Sequence, residues 1–172
     1  MDSGSTLAES DQVAMQKISP FLWFDSNAED AANFYVSVFE NSKILKASRY
    51  EDAGPGPAGT VMVVNFQIEG QEFIALNGGP HFKFTEAISF CINCQTQEEV
   101  DYFWGKLTAD GGQESQCGWL KDKFGLSWQV VPTILGELLA DQDGKKAQRV
   151  MQAMLKMKKI GIPELKRAAA GQ

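Results

Sequence analysis

Apolar residues recur at a helical interval in two stretches of the chain, and the two stretches match. Ala31, Phe34, Tyr35 and Val38 follow Asn27; Val100, Phe103, Trp104 and Leu107 follow Thr96, each 69 residues further on. Spacing of this kind belongs to an amphipathic helix. A short apolar run precedes each helix, Ile18 to Phe24 before the first and Ala87 to Asn93 before the second. After the first helix come strand-like runs at Lys43 to Tyr50, Thr60 to Ile68 and Gln71 to Leu76, the last two joined at Glu69-Gly70 as a hairpin. After the second come Gln113 to Cys117, Trp119 to Lys121 and Leu126 to Val131, the last stopped by Pro132. This pattern predicts a duplicated β-α-β-β-β unit in an α+β fold. Two like sheets would lie side by side, with a ligand groove between them.

Punctuation along the chain sets the boundaries. Asp25-Ser-Asn27 breaks the first strand and caps a helix running to about Phe39. Thr96-Gln-Glu-Glu99 is a capping-box pattern that starts the second, which ends near Thr108. Gly54-Pro-Gly-Pro57 fits neither helix nor central strand, so Glu51 to Gly59 is expected as an exposed loop. Helical segments at Ile134 to Ala140 and Lys145 to about Lys159 complete the chain, and Ala147, Val150, Met151, Met154 and Leu155 make a stripe of core or dimer packing. The expected organisation is a disordered leader over 1–16, a body over 17–132 made of units 17–79 and 86–132, and a helical extension over 133–172.

Because side chains alternate across a strand, each sheet offers two faces. Phe21, Trp23, Phe73, Ala75, Ile88, Phe90, Ile92, Trp128 and Val130 form an apolar set expected under the helices. The other set mixes apolar and small polar residues as a pocket does: Pro20, Leu22, Phe24, Ile74, Leu76, Ser89, Cys91, Asn93, Ser127, Gln129 and Val131, with Asn65 and Gln67 added from the hairpin. From these, Leu22, Asn65, Leu76, Ser89, Cys91 and Gln129 are expected to bind ligand.

Composition narrows the classes. The chain has 172 residues, enough for one substantial core, with 44% hydrophobic and 22% charged residues. Its net charge of −6 lacks the basic footprint of a nucleic-acid partner. No run is long enough for a membrane span, and the first residues lack a signal-peptide pattern. Three cysteines without an export signal make a disulfide framework improbable, and the expected compartment is the cytoplasm.

Candidate chemistry is sparse. Cys91, Cys94, Cys117 and His81 have the count of a zinc site, but Cys91 and Cys94 fall three apart on one strand and so point to opposite faces. His81, the only histidine, follows Gly78-Gly79-Pro80 beside the groove and, with Cys91, is a weak catalytic candidate. Proline removes the amide donors that a phosphate loop at Gly54 to Gly59 would need. No S-adenosylmethionine motif is legible, so no cofactor is expected.

Several stretches carry a family resemblance: Pro20-Phe-Leu-Trp-Phe-Asp, Asn27-Ala-Glu-Asp-Ala-Ala-Asn-Phe-Tyr, Asn77-Gly-Gly-Pro, and Cys117-Gly-Trp-Leu-Lys-Asp-Lys-Phe-Gly-Leu-Ser-Trp-Gln-Val-Val-Pro. With the tail Val150-Met-Gln-Ala-Met-Leu-Lys-Met-Lys-Lys-Ile, they span about Lys17 to Leu165. In these the chain resembles the vicinal oxygen chelate superfamily of glyoxalases, dioxygenases and bleomycin- or fosfomycin-resistance proteins. It is most similar to the PhnB-like branch, labelled 3-demethylubiquinone-9 3-methyltransferase domain proteins. The resemblance implies a glyoxalase/bleomycin-resistance-like fold. It also implies metal ligands, His or Glu, on four groove-facing strands, at slots that fall near Pro20, Ile74, Ser89 and Gln129. None of these can supply imidazole or carboxylate, so the metal set is read as absent.

The expectation is therefore a metal-free, cytoplasmic small-molecule binding protein of the glyoxalase/bleomycin-resistance type, working as a homodimer. The alternative is a metal-independent enzyme, such as a methyltransferase-labelled PhnB-like protein, acting on a quinone-like or phosphonate-related substrate. A third possibility is an assembly module whose groove the partner chain closes.

Overall fold

A computed structural model describes residues 16–172. The first unit runs β1 (Phe21–Phe24), α1 (Ala28–Val38), β2 (Ser42–Arg49), β3 (Val61–Ile68) and β4 (Gln71–Asn77). The second repeats it as β5 (Ser89–Cys94), α2 (Gln97–Thr108), β6 (Gln113–Glu114), β7 (Trp119–Lys121) and β8 (Ser127–Pro132). Three helices follow: α3 (Thr133–Leu139), α4 (Gly144–Met154) and α5 (Ile162–Ala170). The sheets have the orders β1-β4-β3-β2 and β5-β8-β7-β6, with the first strand parallel to the last in each. The duplicated α+β architecture expected from the pattern is thus present. Of the leader, Gln16 alone falls among the described residues; its amide pairs with the backbone of Glu72 on β4.

Helix starts are built differently in the two units. At α2 the capping box forms: the Glu99 amide donates to Thr96 Oγ1 at 3.2 Å, and the Glu99 carboxylate accepts from the Thr96 amide. Replacing Thr96 by alanine is expected to lower stability by about 1 kcal/mol, readable as a lower urea midpoint at unchanged slope. At α1 the expected cap by Asn27 does not form, and its side chain makes no capping bond. Asn77, at the end of β4, supplies the acceptor instead: its Oδ1 takes the Ala28 amide at 2.8 Å while its Nδ2 donates to Val61 O at 3.0 Å. One side chain therefore ties helix, third strand and fourth strand together.

The two units turn the same side inward. Tyr35 of α1 packs on Phe66 of β3 and on Trp128 of β8, Phe39 stacks on Phe103 of α2, and Phe73 of β4 meets Phe90 of β5 edge-on at 5.2 Å. A buried acid sits in this shared core. Asp122, 2% exposed, accepts from Tyr35 Oη (2.8 Å) and Trp128 Nε1 (2.9 Å), and from the amides of Phe124 (2.9 Å) and Leu126 (3.1 Å). Burial raises its pKa against these four bonds, and it pushes the Tyr35 hydroxyl well up from its ordinary value.

Within one chain, then, the space between the sheets is filled by aromatic core, and the groove expected there is not formed. The outer sheet faces point away from this core. Phe21 lies on one of them at 57% exposure, and Ile88, just before β5, is 69% exposed.

β1 also corrects the face reading. Leu22 and Phe24 are buried with Phe73 and Ala75, while Phe21 and Trp23 look outward, the reverse of the expectation. The cause is one residue. Between the last buried strand residue and the first helical residue, the first unit runs from Phe24 to Ala28 and the second from Cys94 to Gln97. An offset of 69 that fits the helices thus slips the strands by one position, which exchanges their faces.

In the extension, α4 stops at Met154, short of Lys159, and α5 was not expected. Its Pro163 in the first turn is a helix-start signal that the pattern reading passed over. Of the predicted stripe, Val150 is buried but Met151 and Leu155 remain 40% and 59% exposed. No helix among the described residues is long and apolar enough to cross a membrane.

Candidate functional site

A cleft of about 1020 Å³ opens at the carboxyl ends of β1 and β4, beside the amino terminus of α1 and under the loop joining β2 to β3. Its walls are the rings of Trp23 and Tyr50 with Met62 and Leu76. Both rings have their polar ends tied off: Trp23 Nε1 donates to Gly79 O at 2.8 Å, and Tyr50 Oη to Asn77 O at 2.7 Å. That leaves their faces for apolar contact. The roof is held by the Gly59 amide on Tyr50 O (2.9 Å) and by Arg49 on Gly59 O (3.0 Å). Asp25, Glu29, Asp30 and Arg49 also line the cleft.

Glycines make this geometry possible. A Cβ at Gly78 would lie 2.3 Å from the Trp23 ring, and one at Gly56 2.5 Å from the Tyr50 ring. Gly59 and Gly79 turn the chain at φ of +81° and +87°. All four are thus accounted for by the protein's own rings and turns. These glycines therefore give no sign of an adenosyl or phosphate cradle.

The expected ligand residues divide. Leu22 lies in the core and faces no pocket. Leu76 lines the cleft, and Asn65 sits beside Ile74 on the same outer face of the first sheet. Ser89, Cys91 and Gln129 share the outer face of the second sheet, where Gln129 Nε2 donates to Ser89 Oγ at 2.9 Å. The chain alone does not bring the two groups together.

Sequence reasoning missed Trp23, Tyr50, Arg49 and Met62. The Gly54-to-Gly59 loop carried the signal, because a proline- and glycine-rich loop beside Tyr50 is a ready-made roof.

His81 stands exposed at the cleft rim, with no carboxylate in ion-pairing distance among the described residues. Partial desolvation raises the Cys91 thiol, the opposite of what a thiolate nucleophile needs. Cys94 is buried on the other side of the strand, and burial pushes it up to about 12.

Register shifts the metal slots as well. Phe21 pairs with Ile74 and Cys91 with Gln129, so the equivalent outer-face row is Phe21, Ile74, Cys91 and Gln129, with Phe21 and Cys91 replacing Pro20 and Ser89. This row contains no imidazole or carboxylate and does not fit the metal that the superfamily implies. No three His, Cys, Asp or Glu side chains converge among the described residues.

The family described as 3-demethylubiquinone-9 3-methyltransferase matches residues 16–131, which leaves the tail resemblance outside the match. No curated protein matches the chain. A PhnB protein from Bacillus cereus, named for the same methyltransferase, is 41% identical with a TM-score of 0.63, over 69% of this chain and 100% of that one. A protein from Pseudomonas aeruginosa shares the fold at 20% identity and a TM-score of 0.56, over 68% of this chain and 97% of that one. The fosfomycin resistance protein FosX from Listeria monocytogenes is 18% identical with a TM-score of 0.48, over 80% of this chain and 98% of that one. The chain therefore belongs to the PhnB-like 3-demethylubiquinone-9 3-methyltransferase family.

Proposed function

We propose that the protein is a metal-free small-molecule binding protein that holds an aromatic or amphipathic compound in the cleft under the β2–β3 loop. The observation that carries this reading is the pair of rings, Trp23 and Tyr50, that line the cleft with their polar ends already bonded. An open cleft with aromatic walls and polar and charged groups around them suits a flat, amphipathic ligand. Three free cysteines fit a cytoplasmic location, where thiols stay reduced.

The working form on this reading is a homodimer. Phe21 leaves apolar surface on the outer face of the first sheet, and Ile44 and Ile88 add exposed apolar surface near the sheet edges. A second copy laid over them sets Ser89, Cys91 and Gln129 of one protomer against Asn65 and Leu76 of its partner, which restores the groove between sheets. The alternative, a metal-independent enzyme acting on a quinone-like or phosphonate-related substrate, is favoured by one observation, the placement of His81 at the cleft rim.

Tryptophan fluorescence titrated with neutral naphthalene and quinone-like compounds tests the reading. Saturable quenching is expected, with affinity falling about tenfold, or 1.4 kcal/mol, in Trp23→Leu. Elemental analysis should find no stoichiometric metal, and Mg²⁺, Mn²⁺, Ni²⁺ and Zn²⁺ should leave the melting temperature unchanged. A bound metal, or stabilisation by one, sinks the metal-free reading. Turnover of a bound quinone that His81→Ala abolishes would replace binding by catalysis.

A further inference from the structure

The duplication allows one corner of the chain to be compared with another. Sheet order makes β5, α2, β6, β7 and β8 the counterparts of β1, α1, β2, β3 and β4. The parallel ladders close at Phe24↔Asn77 and Cys94↔Pro132. Leu76 therefore corresponds to Val131, and Ala28, the first residue of α1, to Gln97, the first of α2. In the first unit this corner is the cleft, roofed by a long hairpin. In the second the hairpin is cut short: β6 and β7 have 2 and 3 residues where β2 and β3 have 8 each.

The chain's own carboxy-terminal segment fills the space that the short hairpin leaves. The Cys117 amide donates to Met157 O at 2.8 Å and the Gly118 amide to Lys158 O at 2.7 Å. Gln97 donates to Ile160 O at 3.3 Å and accepts from the Ile162 amide at 2.7 Å. Ile160 is fully buried in a cluster with Leu135, Val150 and Leu165, against which Val131 packs. Gly118, at φ of +84°, lets the tail come this close, since a Cβ there would meet Ile160 Cγ1 at 3.2 Å and Val130 O at 2.8 Å. Leu76 borders the cleft, whereas its counterpart Val131, half-buried, packs against the cluster that holds Ile160.

We propose that the segment around 157–162 is a built-in occupant of the second unit's cleft, so that each chain keeps one open ligand site, at Trp23 and Tyr50. The second site takes an apolar turn of polypeptide that presents backbone carbonyls and an amide, and the chain supplies it. The ligand count rests on the first cleft being a binding site; the tail's occupancy does not. The Bacillus cereus relative is matched over its whole length by 69% of this chain, so it is the shorter of the two.

Two full-length variants test this, Ile160→Asp and the milder Gln97→Ala, read by hydrogen exchange and by titration with prodan, a neutral environment-sensitive naphthalene. Exchange at the Cys117 and Gly118 amides should rise about tenfold or more in Ile160→Asp and severalfold in Gln97→Ala, with β3 and β4 amides unchanged. Prodan should bind once per wild-type chain and twice per Ile160→Asp chain. If Ile160→Asp exchanges everywhere because it unfolds, Gln97→Ala still decides through the two amides. Unchanged exchange in both variants overturns the proposal, as does, where the wild type binds prodan once, released exchange with no second prodan site. Exchange that responds while the wild type binds no prodan supports the tail's occupancy and removes the first cleft as a ligand site.

Discussion

Replacing Asp122 by alanine is expected to cost about 3–5 kcal/mol of folding stability, the range seen when one partner of a buried charged network is removed. The loss follows from what is left behind. Tyr35 Oη, Trp128 Nε1 and the amides of Phe124 and Leu126 would all face a dry cavity without their acceptor. Asp122→Asn should cost less, about 1–3 kcal/mol, because one amide oxygen cannot serve all the donors. Urea denaturation followed by circular dichroism measures both, and a loss below about 1 kcal/mol in the alanine variant would show that the network is not what couples the units.

The pH dependence of the same group has a definite sign. Because burial raises the folded-state pKa of Asp122, the folded chain holds this proton over a range where the unfolded chain has released it. Its contribution to stability is therefore full below the unfolded-state value and is lost as pH rises through the folded one. The stability advantage of wild type over Asp122→Asn should accordingly shrink as pH rises from about 4. An advantage that grows over that range would mean that the four donors outweigh desolvation.

Asn77→Ala is expected to lower stability by about 2–3 kcal/mol and to weaken ligand binding at the same time. It removes the acceptor for the Ala28 amide and the donor to Val61 O, leaving α1 uncapped and β3 untied at the cleft. The Tyr50 hydroxyl bonds to the backbone carbonyl of the same residue, so the ring that walls the cleft should loosen with it. Denaturation midpoints and tryptophan-quenching titrations report the two effects. A stability loss with unaltered affinity would detach Asn77 from the cleft.

Periodicity made the repeat and its helices legible, because buried faces at Ala31, Tyr35 and Val38, and at Val100, Trp104 and Leu107, impose a 3.6-residue rhythm. The Thr96 cap was legible because it lies within four residues of its partner. The Asn77 cap was not, since it joins positions 49 apart. Strand faces read correctly on β4, β5 and β8 but inverted on β1, where a turn one residue longer broke the constant offset. Aromatic residues on both sides of β1 gave no polar alternation to reveal the slip. The cleft escaped notice for a similar reason: its walls, Trp23 and Tyr50, are residues that a core would use equally well.

Turning both sheets inward on one core also governs how copies of this chain can add to one another. The surfaces left over are two different ones, and covering one sheet with the other sheet of a neighbour is a head-to-tail contact. If a single neighbour covers both at once, the arrangement closes on a two-fold axis and growth stops at a pair. If a neighbour covers one alone, every addition leaves a free face at each end, and assembly runs on as an open filament.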